Sequence, residues 1–343
     1  MKHKAILLSS VSAVAASAAA VGGAHAAGMP AVTGYTYSVQ GSAIFSPGPS
    51  SAVIDEDAAN KISDGFTGVV VQDHPGDAGY AGATTFGVQF NGGWDATFGL
   101  SANEFVTNTA SVQGNYNFGF SGGSGSFSGT STLKTTEKTV FGFETADAEI
   151  GFTPVMSDGF NVRLFGGVRV LHFHSSDEFQ TTSSFTGNGF TIGGSSIAES
   201  GTFNFNSGIS SDFLGAGPRV GISASKRFDG SNFGISGSLA AAAIFGQQTD
   251  TSSFSFSSSF SSSINGGPTS TRGSGSSFSS SHTYSKTVFD LQAQVGVDYY
   301  LNDATKLTVG YQVEELTNVG IGADSNVNKT TQGAFVKVSG SFN

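Results

Sequence analysis

The chain has 343 residues, no cysteine and a formal net charge of −10, with 12% charged residues against 49 glycines and 31 phenylalanines. Without cysteine there is no disulfide framework and no thiol chemistry, and an acidic chain with so few Lys and Arg does not suit nucleic acid. A soluble domain carries about 25% charged residues, so the composition suits a surface solvated in part by lipid.

Met1 to Ala26 reads as a secretory signal, cleaved after Ala26. Lys2 and Lys4 form the positive start, an Ala/Val-rich apolar core comes next, and Ala24-His25-Ala26 is a small-residue cleavage site. No later apolar run reaches the roughly 18 residues of a membrane helix. Beyond the signal the apolar residues alternate with polar ones, the period of a strand with two different faces. Tyr35 to Phe45 places Tyr35, Tyr37, Val39, Ala43 and Phe45 on one face. Phe86, Val88 and Phe90 lead into Asn91-Gly92-Gly93, and Trp94, Ala96, Phe98 and Leu100 return. Ala146, Ala148, Ile150 and Phe152 descend to Ser157-Asp158-Gly159, and Val162, Leu164, Val168 and Val170 climb back. Leu214, Ala216, Val220 and Ile222 precede the turn Asp229-Gly230-Ser231-Asn232, with Phe233, Ile235, Leu239 and Ala241 after it. Phe289 to Leu301 and Leu307 to Val313 form the most regular hairpin, and Ala334 to Phe342 closes the chain.

This pattern predicts an all-β fold, a transmembrane antiparallel β-barrel of about ten strands (8–12) over residues 27–343. Four tight turns alternate with five long loops at about 46–82, 103–139, 180–210, 249–283 and 318–330. Tight turns at the periplasmic end and long loops outside are the asymmetry of outer-membrane barrels. Closure removes edges that lipid cannot satisfy. The stretch Ser111 to Phe120 also alternates and is a candidate for a further pair of strands.

Three segments carry a resemblance: GGWDATFGLSANEF (92–105), FNVRLFGGVRVLHFHSS (160–176) and FLGAGPRVGISASKRF (213–228). They resemble the Legionella-type, pore-forming major outer-membrane protein family. The run Gly215-Ala216-Gly217-Pro218-Arg219-Val220-Gly221 is the most specific of the matches. The chain departs from such barrels at its end, where Asn343 follows the aromatic Phe342. The resemblance implies pore formation in an outer membrane.

Parity with the apolar face puts Asp95, Asp147, Glu149, Arg163, Arg169, Arg219, Asp290, Asp298, Lys306, Glu314 and Lys337 on the lumen side as pore-lining candidates. A three-residue loop at Ser157-Asp158-Gly159 pairs Met156 with Phe160, which sets Asp147 across from Arg169 and Glu149 diagonal to it. These charges read either as an ion-screening constriction or as a salt-bridged plug, and a barrel of about ten strands lies near the filled end of the size range. The leading function is passive diffusion of small hydrophilic solutes or ions. Its alternative is a structural or adhesive barrel with a plugged lumen, acting through its loops.

His172 and His174 share a strand face, as a metal pair or as a solvated pair. Asp73-His74 resembles the acid–histidine pair of ten-stranded outer-membrane proteases, with no second acidic pair marked. No GxSxG, HExxH or phosphate loop is present. No enzyme activity, cofactor or metal site is therefore expected. Phe118-Gly119-Phe120, Phe203-Asn204-Phe205 and Phe254-Ser255-Phe256 recur in the long loops. They read either as strands continued beyond the membrane or as Ser/Gly-rich linker. The expected partners are outer-membrane lipid, periplasmic chaperones and barrel-assembly machinery during biogenesis, and a surface ligand at the loops.

Overall fold

The computed structural model describes residues 31–46, 66–72, 77–105, 108–122, 125–154, 160–192, 195–320 and 327–342. The signal over residues 1–26 and the turn at 157–159 lie outside them. The strands are β1 (Val32–Ser46), β2 (Thr67–Gln72), β3 (Asp77–Phe90), β4 (Trp94–Phe105), β5 (Asn108–Gly122) and β6 (Gly125–Phe152). They continue as β7 (Phe160–Ile192), β8 (Ser195–Arg227), β9 (Phe233–Ile264), β10 (Ser270–Tyr300), β11 (Thr305–Thr317) and β12 (Lys329–Phe342).

Among the described residues all pairings are antiparallel, and ten of the twelve strands close a ring. Its order is β6-β4-β3-β1-β12-β11-β10-β9-β8-β7, completed by β7 on β6. The remaining two do not widen it. β5 pairs with Gly125–Thr139 of β6 where β4 has finished pairing with Gly142–Phe152, and β2 lies on β5 as β3 lies on β4. Each is an outer continuation of a barrel strand. The alternation at Ser111 to Phe120 is therefore strand, but it lengthens the wall instead of adding a pair to the ring.

The stretches 103–139, 180–210 and 249–283, expected as loops, are strand over most of their described length, so β6 to β10 run for 28 to 33 residues each. Their composition is that of a linker, yet the alternation decides. Phe203, Phe205, Phe254, Phe256, Phe260 and Phe278 all share the face that continues the lumen wall, and Ser, Thr and Asn cover the opposite face. Ring pairs such as Phe205–Phe254 at 5.0 Å and Phe203–Phe260 at 5.1 Å then form between neighbouring strands. Such cross-strand aromatic pairs stabilise a sheet by about 0.2–1 kcal/mol each. The barrel thus continues on one side into an open sheet of β2, β5, β6, β7, β8, β9 and β10.

The opposite end is tight. Asn91–Gly93 turns with Gly92 and Gly93 at φ 74° and 80°, and Gly230 sits at φ 66° in the next described turn. A side chain resists that left-handed backbone and glycine does not. Between the two ends Val39, Val168, Val220, Leu239, Val295 and Val336 stand exposed on the outside of the ring. An apolar band of this kind is solvated by hydrocarbon. Near the turns it gives way to aromatic pairs, Trp94–Phe152 at 5.0 Å, Phe233–Tyr299 at 5.2 Å and Tyr35–Phe342 at 5.4 Å. That is an interface girdle.

Candidate functional site: the barrel lumen

The strand period assigns every second residue to the lumen, and β7 shows what this brings together. Arg163, Phe165, Gly167, Arg169, Leu171 and Phe173 follow one another up the inner wall. The register places Asp147 opposite Arg169, as the expected three-residue turn requires. Arg169 is 2% exposed and binds three carboxylates: Asp147 at 2.6 Å, Glu314 at 3.3 Å and Asp290, itself 1% exposed. Its Nη2 also donates to Gln292 Oε1 at 3.2 Å, and Gln292 donates to Glu314. Ion pairs this deep form only where the guanidinium fork matches its acceptors, since desolvation otherwise exceeds the attraction.

The network continues toward the turns. Arg219 reaches Glu149 at 3.0 Å and Asp147 at 3.4 Å, and Arg163 reaches Asp95 at 2.7 Å and Glu149 at 3.2 Å. Phe165 lies between the two arginines, with its ring centre 4.8 Å from the Arg163 guanidinium carbon and 5.8 Å from that of Arg219. The glycines of the Gly215 to Gly221 run now have a physical reason. A Cβ at Gly221 would stand 2.2 Å from the Phe165 ring, one at Gly217 1.8 Å from the Ala243 carbonyl oxygen, and one at Gly215 2.6 Å from the Phe213 ring. Asp298 forms a separate buried site, accepting from Lys306 at 2.7 Å, Thr308 at 2.6 Å and Ser236 at 2.9 Å. Lys337 borders two cavities of the lumen. All eleven lumen candidates sit on the inner wall, and eight of them, Asp95, Asp147, Glu149, Arg163, Arg169, Arg219, Asp290 and Glu314, join one network.

Directly outside the charges lies an apolar layer that the charged positions alone do not mark. Two residues beyond Arg169 stands Leu171, two beyond Glu314 stands Leu316, and two before Asp290 stands Val288. These three join Ile44, Phe105, Phe141, Phe143, Phe173, Phe213 and Ile244 in one buried cluster. Phe173 and Phe213 stack at 5.0 Å, and Phe141 lies 5.8 Å from Phe105, 6.0 Å from Phe143 and 6.5 Å from Phe173. Eight of the ten ring strands, β1, β4, β6, β7, β8, β9, β10 and β11, supply these side chains, so the layer reaches across most of the lumen. A signal was present in the sequence: Phe141 and Phe143 share the parity of Asp147, and Leu171 and Phe173 that of Arg169. The lumen holds a cavity of about 200 Å³ at the network, beside Gln40, Asp147 and Arg169, and one of about 410 Å³ toward the turns, beside Asn161, Arg163 and Lys306.

The other candidates lie elsewhere. His172 and His174 point outward and pair separately, Nδ1 of His174 with Asp212 at 2.8 Å and Nδ1 of His172 with Glu144 at 3.9 Å. Among the described residues no group of three or more His, Cys, Asp or Glu could hold a metal ion. Asp73 and His74 lie outside the described residues.

Outside the membrane band one carboxyl is strongly perturbed. Asp177, on the inner face of β7 above the apolar layer, has its pKa pushed up to about 6 by burial and by the neighbouring Glu137, with Lys329 opposing.

Among solved structures the chain is similar to the outer-membrane protease OmpT of Escherichia coli, at 10% identity over 92% of this chain and 99% of that one with a TM-score of 0.30. It is similar to a major outer membrane protein of Thermus thermophilus, at 11% identity over 90% and 99% with a TM-score of 0.28. It is also similar to Neisserial surface protein A, at 10% identity over 91% and 99% with a TM-score of 0.26. Likeness at that level carries no argument about activity. No curated protein matches the chain. The family described as Legionella pneumophila major outer membrane protein precursor matches residues 51–340, so this closed ten-stranded barrel with its apolar outer band belongs to that family and is an outer-membrane protein.

Proposed function

We propose that this protein is a barrel closed to free diffusion in its folded resting state, and that its working surface is the sheet standing beyond the membrane. The apolar layer from Ile44 to Leu316 carries this reading. Phe143, Leu171, Phe173, Phe213, Ile244, Val288 and Leu316 are buried against one another across the lumen, an environment that favours no hydrated ion. The charges below the layer are paired in a network, as in a plug, and the ring is near the size at which side chains fill a barrel. This supports the structural or adhesive alternative over passive diffusion of hydrophilic solutes. The Ser/Thr and Phe faces of the outer sheet then supply the surface for interaction.

A second reading has its own support. Cavities lie in the lumen beside Asp147 and beside Lys306, short of the apolar layer. Displacing that layer would complete an ion path, which keeps the family's pore reading as a gated one. Single-channel recording of the refolded protein in a planar bilayer tests both, with heat-modifiable gel mobility confirming the fold. The wild type should be silent, and Phe173→Ala with Phe213→Ala should conduct. A wild type that opens freely and continuously would overturn the closed-barrel reading.

A further inference from the structure

The outer half of β10 is an edge strand with nothing on one side among the described residues. β9 accompanies β10 from Ser270 opposite Ser262 to Tyr299 opposite Phe233, whereas β11 joins only from Phe289 opposite Thr317. Asn318 Nδ2 donates to the Thr287 carbonyl at 2.7 Å, so the main chain of Thr287 points away from β9. Main-chain direction alternates along a strand. The odd-numbered residues from Thr271 to Ser285 therefore aim both N–H and C=O at the open side. Proteins usually blunt such an edge with proline, a bulge or charged residues. From Ser270 to Ser285 there is no proline, no break in the register with β9 and one charged side chain besides His282, that of Arg272. The side chains agree with the main chain. Phe278 lies opposite Phe254 and is 66% exposed, with no described strand on its other flank.

We infer that this edge pairs antiparallel with the same edge of a second copy held in a facing membrane, so that the protein joins two cell surfaces. The strand is its own complement. With Phe278 opposite Phe278, Ser277 meets Ser279, Ser276 meets Ser280, Gly275 meets Ser281, Ser274 meets His282 and Arg272 meets Tyr284. Odd residues meet odd residues, so every main-chain group aimed at the open side finds a partner. No like charges stand opposite each other in this register. The hydroxyl pairing is the kind that already joins β10 to β9, as in Ser252–Ser280 at 2.8 Å, Ser258–Ser274 at 2.9 Å and Thr249–Thr283 at 2.9 Å.

Two copies in one membrane do not fit. A two-fold axis along the membrane normal would set identical residues of parallel strands at the same height. A parallel ladder instead places a residue aimed at its partner opposite one aimed away. Facing membranes supply the antiparallel orientation. The lipid-facing band of β10 ends near Phe289, and the free edge beyond it extends about 50 Å at roughly 3.3 Å per residue. That length sets the gap the contact would bridge.

The inference deepens the surface role proposed for the outer sheet and does not depend on the state of the lumen, which conductance reads separately. Because the chain has no cysteine, Phe278→Cys introduces a single thiol. Paired as argued, two such residues face each other in a non-hydrogen-bonded pair with Cα atoms about 4.5 Å apart, within reach of a disulfide. The refolded variant in detergent, where copies orient freely, should form a disulfide dimer on oxidation. Adding Ser277→Pro and Ser279→Pro removes only donors aimed at the open side, and should abolish the dimer while heat-modifiable mobility is kept. Vesicles carrying the wild type should cluster by light scattering, and vesicles carrying the proline variant should stay dispersed. A folded Phe278→Cys protein that remains monomeric would overturn the inference. So would cross-linking that survives both prolines, or wild-type vesicles that cluster only when another polypeptide is added or not at all.

Discussion

Arg169 pairs with three carboxylates, and its removal tests the proposed closed lumen. Its guanidinium is 2% exposed and holds Asp147, Asp290 and Glu314 together. Arg169→Met keeps much of the volume and removes the charge, leaving three carboxylates without their shared counterion. Breaking a buried pair from one side costs about 3–5 kcal/mol, and three stranded partners place this change at the upper end, near 5 kcal/mol. Asp147→Asn alone should cost less, because Arg169 keeps Asp290 and Glu314. The double variant should recover about 1 kcal/mol or more of the summed loss, the coupling expected of residues in one network. The assay is urea unfolding from lipid vesicles, followed through Trp94. It is the single tryptophan of the chain and is 48% exposed on the outer side, so its emission reports transfer from the membrane interface to water. In a water-filled lumen each charge would stay solvated, and the single changes would cost under about 1 kcal/mol with no coupling. That result would refute the plug.

The lipid face is tested by neighbours of opposite parity: Val295, 63% exposed on the outside, and Gln294, on the inner wall beside Gln312. Val295→Arg should lose about 2–4 kcal/mol of folding stability in bilayers and Gln294→Arg clearly less, with equal losses contradicting the assigned faces. Asp177 offers a pH test of the outer sheet. Its pKa is raised to about 6 in the folded protein, against about 3.9 when unfolded. The folded state therefore holds the proton more tightly, and stability falls as pH rises from about 4 to 6. Asp177→Asn should stabilise the outer half of β7 by about 1 kcal/mol above pH 6, the full linkage being discounted for partial exposure, and should change nothing below about pH 4. Hydrogen exchange along β6 and β7 would show it, and a benefit that persists at pH 4 would point to another cause.

Much of the barrel can be read from local pattern because a strand's two faces meet different solvents. Val295 and Gln294 differ in sequence as they differ in surroundings, and the tight turns at Asn91–Gly93 and Asp229–Asn232 are marked by glycine and asparagine. The same parity places all eleven charged candidates on the inner wall. It reaches as far as the pair Asp147 and Arg169, because β6 and β7 keep one register from Phe152 opposite Leu164 outward. The long stretches were harder. Ser/Gly-rich composition and period-two phenylalanine point to opposite conclusions there, and pairing with neighbours that carry the same alternation decides for strand.

The amino-acid sequence by itself determined the period, the two faces, the turn asymmetry and the approximate strand number, each of which depends on residues adjacent in the chain. Only the tertiary structure brings the lumen side chains together. Arg169 meets Asp290 and Glu314 across more than a hundred residues of sequence, through closure of the ring and not through any turn. The apolar layer arises in the same way, from side chains that eight strands each contribute at one height. Height within a barrel is set by strand tilt and stagger as the sheet closes, a property of the whole ring that no single strand carries.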